Sequence, residues 1–249
     1  MHKVIICIRV CNEERWLRLL WRCLKEQTYR NFEVVLVNNN SSDLSRDIAI
    51  SAHTTVVDLE EYNPSEAINL GLRSAASYES AEIGIILSVH CIPVDVNWLE
   101  NLVKSFEIHT DIVGVYGRQI PMKSSNFDDM RDLLYTFGDQ SYTHDKKIFF
   151  HNANSAVRID YYRENPFNEE ISHIEDLDWA QRASRKNKKI YYNADAAVWH
   201  HHGIHQHNNK SFRSETVSAT LKQLSGFEYP DEKFLALSNL NSIIVVEQE

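Results

Sequence analysis

Residues 4–43, VIICIRVCNEERWLRLLWRCLKEQTYRNFEVVLVNNNSSD, decide the fold. Val4-Ile5-Ile6-Cys7-Ile8 is a continuous apolar run, as expected of a strand covered on both faces. Asn12 stands where it can cap a following helix, and Glu13 and Glu14 suit the positive end of that helix's dipole. Trp16, Leu20, Cys23, Leu24 and Gln27 recur at helical spacing and should form one core-facing stripe. Val34-Val35-Leu36-Val37 is a second apolar strand, ending abruptly in Asn38-Asn39-Asn40-Ser41-Ser42-Asp43. Together these make a βαβ unit with a polar loop at the carboxyl end of its second strand.

The alternation continues outward from this unit. Thr54 to Val57 reads as a strand, and Asn63-Pro64-Ser65-Glu66 announces a helix with Asn63 as its cap and Pro64 in its first position. Ile83 to Leu87 is a buried strand ending in Ser88-Val89-His90; Pro93 to about Ile108 reads as helix and Ile112 to Tyr116 as extended. Asp128–Phe137 and Glu175–Asn187 read as helices, with strands at Ala156–Ile159, Lys189–Tyr192 and Ala196–His200, and a polar helix at Asn209–Ser225. The expected fold class is α/β: a Rossmann-like, mainly parallel central sheet flanked by helices, with a short helical C-terminal extension. In such sheets ligands bind beyond the carboxyl ends of the strands. Three polar clusters fall there: Arg9 to Asn12, Asn38 to Asp43 and Ser88 to His90.

Composition narrows the function. The chain has 249 residues, 43% hydrophobic and 24% charged, enough to bury a sizeable core. A formal net charge of -9 opposes nucleic acid and anionic membrane as general partners. The basic run Arg182, Arg185, Lys186, Lys188 and Lys189 is the local exception, read as a solvated helix end in preference to a membrane-touching patch. No stretch approaches the ~20 apolar residues of a spanning helix, and no signal peptide is expected. Cys7, Cys11, Cys23 and Cys91 form no CxxC pair, which points to reduced thiols and a cytoplasmic location.

The order of elements in residues 4–43 closely resembles the start of family 2 glycosyltransferases, enzymes of the GT-A fold. Further on, IEDLDWAQRASRKNKKIYYNADAAVWHHHG (residues 174–203) resembles the family's acceptor-side segment, an acidic pair heading a helix and then a strand ending in histidines. The resemblance implies an inverting transfer from a nucleotide-sugar donor to a hydroxyl of a glycan, lipid-linked or protein-linked acceptor, in bacterial surface polysaccharide synthesis such as capsule or lipopolysaccharide. It implies Asp176 as the catalytic base, with Glu175 beside it. Without the resemblance these carboxylates would merely favour a helix N-terminus, and Asp178 is expected to be a cap or surface residue. Donor nucleotide contacts are expected from Arg9, Asn12, Glu14, Asn38, Asn40, Ser41, Asp43, Ser88 and His90, and walls for donor sugar or acceptor from Arg118, Gln119, Asn152 and Asn154. The Asn38 to Ser42 segment also reads as a simple turn.

Two positions depart from the family's pattern. Asn38 stands where many members have Asp after the second strand, and an amide both donates and accepts, unlike a carboxylate. Ser88-Val89-His90 stands where the family usually carries Asp-x-Asp, whose divalent metal, Mn²⁺ or Mg²⁺, bridges the diphosphate. Serine and histidine are poor substitutes for two carboxylates around hard Mg²⁺. Three options follow: His90 with His200 or His202 holds a softer metal; donors stabilise the phosphate without metal; or the donor is a CMP-linked acidic sugar. With no carboxylate at the strand end to anchor a hard ion, weak or absent metal dependence is the expectation. On a strand His200 and His202 share one face, and one of them is expected to touch the metal or phosphate; a structural zinc site and a hydrogen-bonded strand end are the alternatives.

The domain reading is a GT-A domain over 1–207, its nucleotide-binding half about 1–117 and its acceptor half about 118–207, then the helical extension over 208–249. The expected location is cytoplasmic, extending to the inner face of the membrane, with peripheral membrane association and homodimerisation left open. The competing classes are a catalytically silent nucleotide-sugar-binding module and a nucleotidyltransferase; Arg9-Val10-Cys11-Asn12 is not the Gly-rich loop the latter normally shows.

Overall fold

Strand β1 (Val4–Val10) is apolar on both faces because both faces are covered. Its side chains alternate. Val4, Ile6, Ile8 and Val10 enter one core with Leu17, Leu20 and Leu24 of α1 (Glu14–Glu26) and with Trp98, Leu99 and Phe106 of α4 (Trp98–Ile108). Ile5 and Cys7 enter the other, with Ala67, Ile68 and Leu72 of α3 (Pro64–Arg73) and Trp179, Ala180 and Ala183 of α7 (Glu175–Arg185). The computed structural model describes residues 1–144, 148–171 and 173–201. The extension over 208–249 and its expected helix at Asn209–Ser225 lie outside the described residues.

Nine strands form one sheet among the described residues, in the order β3-β2-β1-β4-β8-β6-β9-β5, with β7 (Tyr142–Thr143) beside β9. β3 (Thr55–Leu59), β2 (Phe32–Asn39), β1 and β4 (Ile83–Ser88) are parallel. β8 (Asn154–Arg158) runs antiparallel to both β4 and β6 (Ile112–Pro121), and β5 (Cys91–Pro93) antiparallel to β9 (Lys189–His200), while β6 and β9 are parallel. The fold is α/β as expected, but its sheet is mixed where a mainly parallel one was read.

Several local expectations are corrected. Asn12 does not cap α1: its φ is 54° and its side chain turns to the next loop. Gln27 leaves the α1 stripe; its amide donates to the carbonyls of Cys23 and Asp95 and accepts from Leu99 N–H, tying α1 to α4. Pro93, read as the helix start, instead ends strand β5, because β9 supplies a partner, and the helix begins at Trp98. Lys189 to His200 is one strand, not two. The ladder slips at Gly117, where a Cβ would lie 2.0 Å from the Ala196 carbonyl oxygen, so only glycine fits. Helices α2 (Ser45–Ser51) and α6 (Ile159–Glu164) carry no periodicity strong enough to announce them and follow from packing. α5 (Phe127–Thr136) and the Asn63 cap of α3, which accepts from Ser65 and Glu66 N–H at 2.9 and 3.1 Å, match the reading.

Candidate active site

Elements distant in sequence converge beyond the carboxyl ends of β1 and β4. Arg9, near the end of β1, donates through Nη2 to Ser88 Oγ at 3.2 Å and to the Asn152 carbonyl at 3.0 Å. The Asn152 N–H donates to Asp176 Oδ2 at 3.3 Å, and Leu177 N–H donates to Asp176 Oδ1 at 2.8 Å. Asn152 thus links a cation at the end of β1 to a carboxylate in the first turn of α7. Desolvation, then the charge of neighbouring Glu175, pushes Asp176 up to about 7. Desolvation also opposes the charge of Arg9, but the pull of Tyr62, Glu175, Cys7 and Asp176 outweighs it and raises its pKa. Two buried donors here, Arg9 Nε and Asn152 Nδ2, have no hydrogen-bond partner among the described residues, so they are available to an acceptor that enters the site. Asp178 is neither cap nor surface residue: it is buried and accepts from Arg182 Nε at 2.8 Å.

The loops after β1 and β2 cap one another. Asn12 Oδ1 accepts from Ser42 N–H at 2.7 Å, and Ser41 Oγ accepts from Asn12 N–H at 3.0 Å. Asp43 Oδ2 accepts from Glu14 N–H at 2.9 Å, in the first turn of α1, while Glu14 Oε2 accepts from Leu44 N–H at 3.0 Å at the start of α2. Orphan donors of two helices are thereby satisfied reciprocally. Alongside, Asn38, Asn40, Ser41, Arg46, Asp58 and Glu60 line a cleft of about 470 Å³. Asn38 is buried; its amide donates to Asp58 Oδ1 at 2.8 Å and accepts from Ser41 N–H at 3.2 Å. Asp58 also receives Arg46 at 3.0 Å, and these two hydrogen bonds hold its carboxyl below the usual range.

The third cluster lies at the end of β9. His90 Nδ1 is 2.7 Å from Glu13 Oε1, and its ring stacks on that of His200 with centroids 5.1 Å apart and planes 6° apart. Cys91 is the register partner of His200. One ligand atom from each of His90, Cys91 and His200 lies within 4.8 Å of the others, and all three residues are buried. His201 turns to the ring of Trp16, centroids 4.8 Å apart. His202 lies outside the described residues.

The second set of expected wall residues divides. Asn152 belongs to the Arg9–Asp176 link. Gln119 is buried against His151, Nε2 to Nδ1 3.0 Å. Arg118 lines a separate cleft with Asp95, Asn97, Glu100 and Asp195. Asn154 is fully buried and its amide is spent inside the fold: Nδ2 donates to the Ala196 carbonyl at 2.9 Å, and Oδ1 accepts from Trp98 Nε1 at 3.0 Å.

The model of the family described as Glycosyl transferase family 2 matches residues 5–165. This chain belongs to glycosyl transferase family 2. It is 24% identical over 194 residues to the O-antigen chain rhamnosyltransferase WbaN of Salmonella anatum, a match covering 73% of this chain and 60% of that protein. With the putative glycosyltransferase EpsH of Bacillus subtilis (strain 168) identity is 26% over 205 residues, covering 76% and 58%. The matches thus span about three fifths of the length of these curated relatives. Among solved structures, the mannosyltransferase PcManGT from Pyrobaculum calidifontis in complex with GDP-Man and Mn²⁺ superposes with a TM-score of 0.66 at 17% identity, covering 92% of this chain and 66% of that one. The structure of S. aureus TarS 1–349 in complex with UDP-GlcNAc gives 0.66 at 15% identity, covering 93% and 69%. These likenesses establish the GT-A fold for this family 2 chain.

Asp58, Glu13 and Cys91 are among the cluster residues that escaped the sequence reading. Asp58 stands at the carboxyl end of a parallel strand, so the rule that singled out Asn38 would have found it. Glu13 carried only a helix-dipole reading, and its His90 contact depends on tertiary placement. Cys91 becomes a neighbour of His200 only through the β5–β9 pairing, which no local pattern announces.

Proposed function

We propose that this chain is an inverting glycosyltransferase that moves a sugar from a nucleotide-sugar donor to a hydroxyl of a glycan, lipid-linked or protein-linked acceptor. The observation that carries the reading is the Asp176 carboxylate, raised toward neutrality and joined through Asn152 to the cation at the end of β1. A base with a pKa near the working pH combines a large deprotonated fraction with good proton affinity. Asp176 takes the acceptor hydroxyl's proton as that oxygen bonds to the anomeric carbon. The bond to the donor phosphate breaks on the opposite face, its electron pair leaves with the nucleotide, and the configuration inverts. Arg9 and the Asn152 amide supply donors for the charge that develops on the leaving oxygen.

The cleft lined by Asn38, Asn40, Ser41 and Asp58 holds the nucleoside, with Asn12, Glu14 and Asp43 fixing its loops. PcManGT is solved with GDP-Man and TarS with UDP-GlcNAc, which supports a nucleotide-sugar donor. The O-antigen chain rhamnosyltransferase WbaN supports surface polysaccharide as the product, and the reading places the reaction on the cytoplasmic side of the membrane. No helix among the described residues is long and apolar enough to cross a membrane. The Mn²⁺ of PcManGT raises the question of a metal here. The end of β4 offers Ser88 and His90 rather than carboxylates and does not fit a hard, oxygen-loving ion.

Thermal stabilisation by UDP, GDP, dTDP, CDP and CMP, with and without Mn²⁺, tests donor binding. A ligand at about 100 times its Kd adds about 2.7 kcal/mol, so the cognate nucleotide should stand out. Preference for CMP over every diphosphate would move the reading to a CMP-linked acidic sugar. If no nucleotide stabilises the protein, the donor site as described is abandoned. Binding without turnover on any acceptor would leave the silent module.

A further inference from the structure

The His90–Cys91–His200 cluster has a donor set unlike the oxygen ligands that a hard diphosphate-bridging ion demands. We propose that His90, Cys91 and His200 form a nitrogen–sulfur centre that binds a borderline divalent ion, zinc or cobalt, in preference to magnesium. Three observations converge on it. Cys91 and His200 are register partners in the antiparallel β5–β9 pair, so their side chains leave the sheet on the same face. His90 lies beside His200, and one ligand atom from each of the three residues lies within 4.8 Å of the others. Ligands around a tetrahedral zinc, with bonds of about 2.0–2.3 Å, are roughly 3.3–3.8 Å apart. The spacing must therefore close by about 1–1.5 Å, with the stacked His90 and His200 rings turning so that each points a nitrogen lone pair at one ion.

The third observation is Glu13, whose carboxylate lies 2.7 Å from His90 Nδ1. A carboxylate on one imidazole nitrogen fixes the ring and strengthens the other nitrogen as a ligand, the outer-shell arrangement of metal-binding histidines. Ligand chemistry then sets the selectivity. Two imidazoles and a thiolate suit zinc or cobalt, whereas magnesium keeps to oxygen and sheds its water reluctantly. Three protein ligands leave one tetrahedral position open, as in reactive rather than closed structural zinc sites. The binding claim stands apart from the donor reading; only the identity of a ligand at the open position rests on it.

The test is titration of chelator-treated full-length protein with Co²⁺, followed by visible and near-ultraviolet absorption. The expected result is tetrahedral d–d bands with a sulfur-to-cobalt charge-transfer band, bleached by stoichiometric Zn²⁺ and unaffected by millimolar Mg²⁺. Cys91→Ser should abolish the charge-transfer band, and Glu13→Gln should weaken Co²⁺ binding by about 10–100-fold. X-ray absorption at the zinc edge of the wild-type protein should show one sulfur ligand, and it needs no variant to fold. Absence of cobalt bands, a charge-transfer band that persists in folded Cys91→Ser, an all-oxygen and nitrogen zinc shell, or equal competition by Mg²⁺ would each overturn the proposal. Thermal stabilisation by nucleotide in the metal-free protein is read in parallel, so that failure of the metal centre and failure of the donor site are told apart.

Discussion

Strands β1, β2 and β3 run parallel and each passes into a helix, whereas β8, β6, β9 and β5 mix parallel and antiparallel pairings and bring together residues up to about a hundred positions apart. The polar groups at the two sets of strand ends are used differently. In the parallel half, Asn12, Asp43, Glu14 and Asn38 are occupied with one another's backbone and side chains, which makes a rigid rim. In the mixed half, Asp176 is held by two N–H donors but lies beside another carboxylate in a desolvated setting. On the proposed function, one half is arranged to hold a shape and the other to hold a reactive charge. Substitutions should therefore separate binding from turnover along the same line.

The largest expected effect is on turnover. Asp176→Asn should lower kcat by about 10²–10⁴-fold, the usual contribution of a general base, while nucleotide affinity stays near wild type. Wild-type kcat should rise with pH through an acid limb near 7, because the base must be deprotonated. Stability should respond with the opposite sense. A carboxyl whose folded pKa is raised contributes stability that is full below its unfolded value near 3.8 and is lost as pH rises through about 7. The Asn variant should therefore melt higher than wild type at pH 8 and lose that advantage at acid pH. Near-normal turnover in Asp176→Asn would transfer the role to Glu175 and erase the functional contrast between the halves.

A steric prediction comes next, in the mixed half. Gly117→Ala places a methyl 2.0 Å from the Ala196 carbonyl oxygen and 2.4 Å from Asn154 Nδ2, where the β6–β9 ladder slips. Backbone cannot step aside as a side-chain tip can, so a loss of about 1–3 kcal/mol is expected from overpacking, measured by denaturant midpoint. A neutral result would mean that the ladder re-registers freely.

The same division explains how much of the molecule was legible in its residues. β1, α1 and β2 announce themselves because apolar runs, helical spacing and a polar loop lie within forty positions of one another. The Asn63-Pro64-Ser65-Glu66 start of α3 is equally local. The mixed half resists such reading: Cys91–Pro93 is too short to signal a strand and exists because β9 covers it. Lys189 to His200 looks interrupted because Asn193 turns inward, donating to Ser105 Oγ at 2.8 Å. The acidic pair on α7 was visible as a motif, but nothing near it points to Asn152 as its tether to Arg9. Glu13 shows the same limit, because its partner His90 comes from beyond another strand.

A smaller effect tests the rigid rim. Asn38→Ala removes the acceptor of Ser41 N–H and the amide that donates to Asp58. Leaving a buried partner unmade costs about 1–3 kcal/mol, expected here mainly as weaker nucleotide affinity in a calorimetric titration, with kcat at saturating donor unchanged. If affinity for every nucleotide is unaltered, the loop after β2 is only a turn and the cleft beside it is not the nucleoside site.

The smallest effect separates a local cap from a shared one. Asn63 caps its own helix through Ser65 and Glu66 N–H, and its amide donates to the Glu169 carbonyl at 2.7 Å. Asp43 caps α1 from the loop after β2 while also accepting from Ser45 N–H at 2.9 Å. Desolvation would raise the Asp43 carboxyl, yet hydrogen bonds from Ser45 and the Glu14 amide outweigh it and hold it below its usual value. Each cap replaced by Ala should cost about 1 kcal/mol in thermal unfolding. Asn63→Ala should do nothing further, because Asn63 does not line the proposed nucleoside cleft. Asp43→Ala should also weaken nucleotide binding, since the loop it releases carries Asn40 and Ser41 into that cleft. The Asp43 contribution is present above pH 3.8 and lost as pH falls through its depressed value, so the two variants should converge in relative stability in strong acid. Equal, purely thermal effects of both substitutions across pH and nucleotide would show that the loops' mutual capping serves the fold alone.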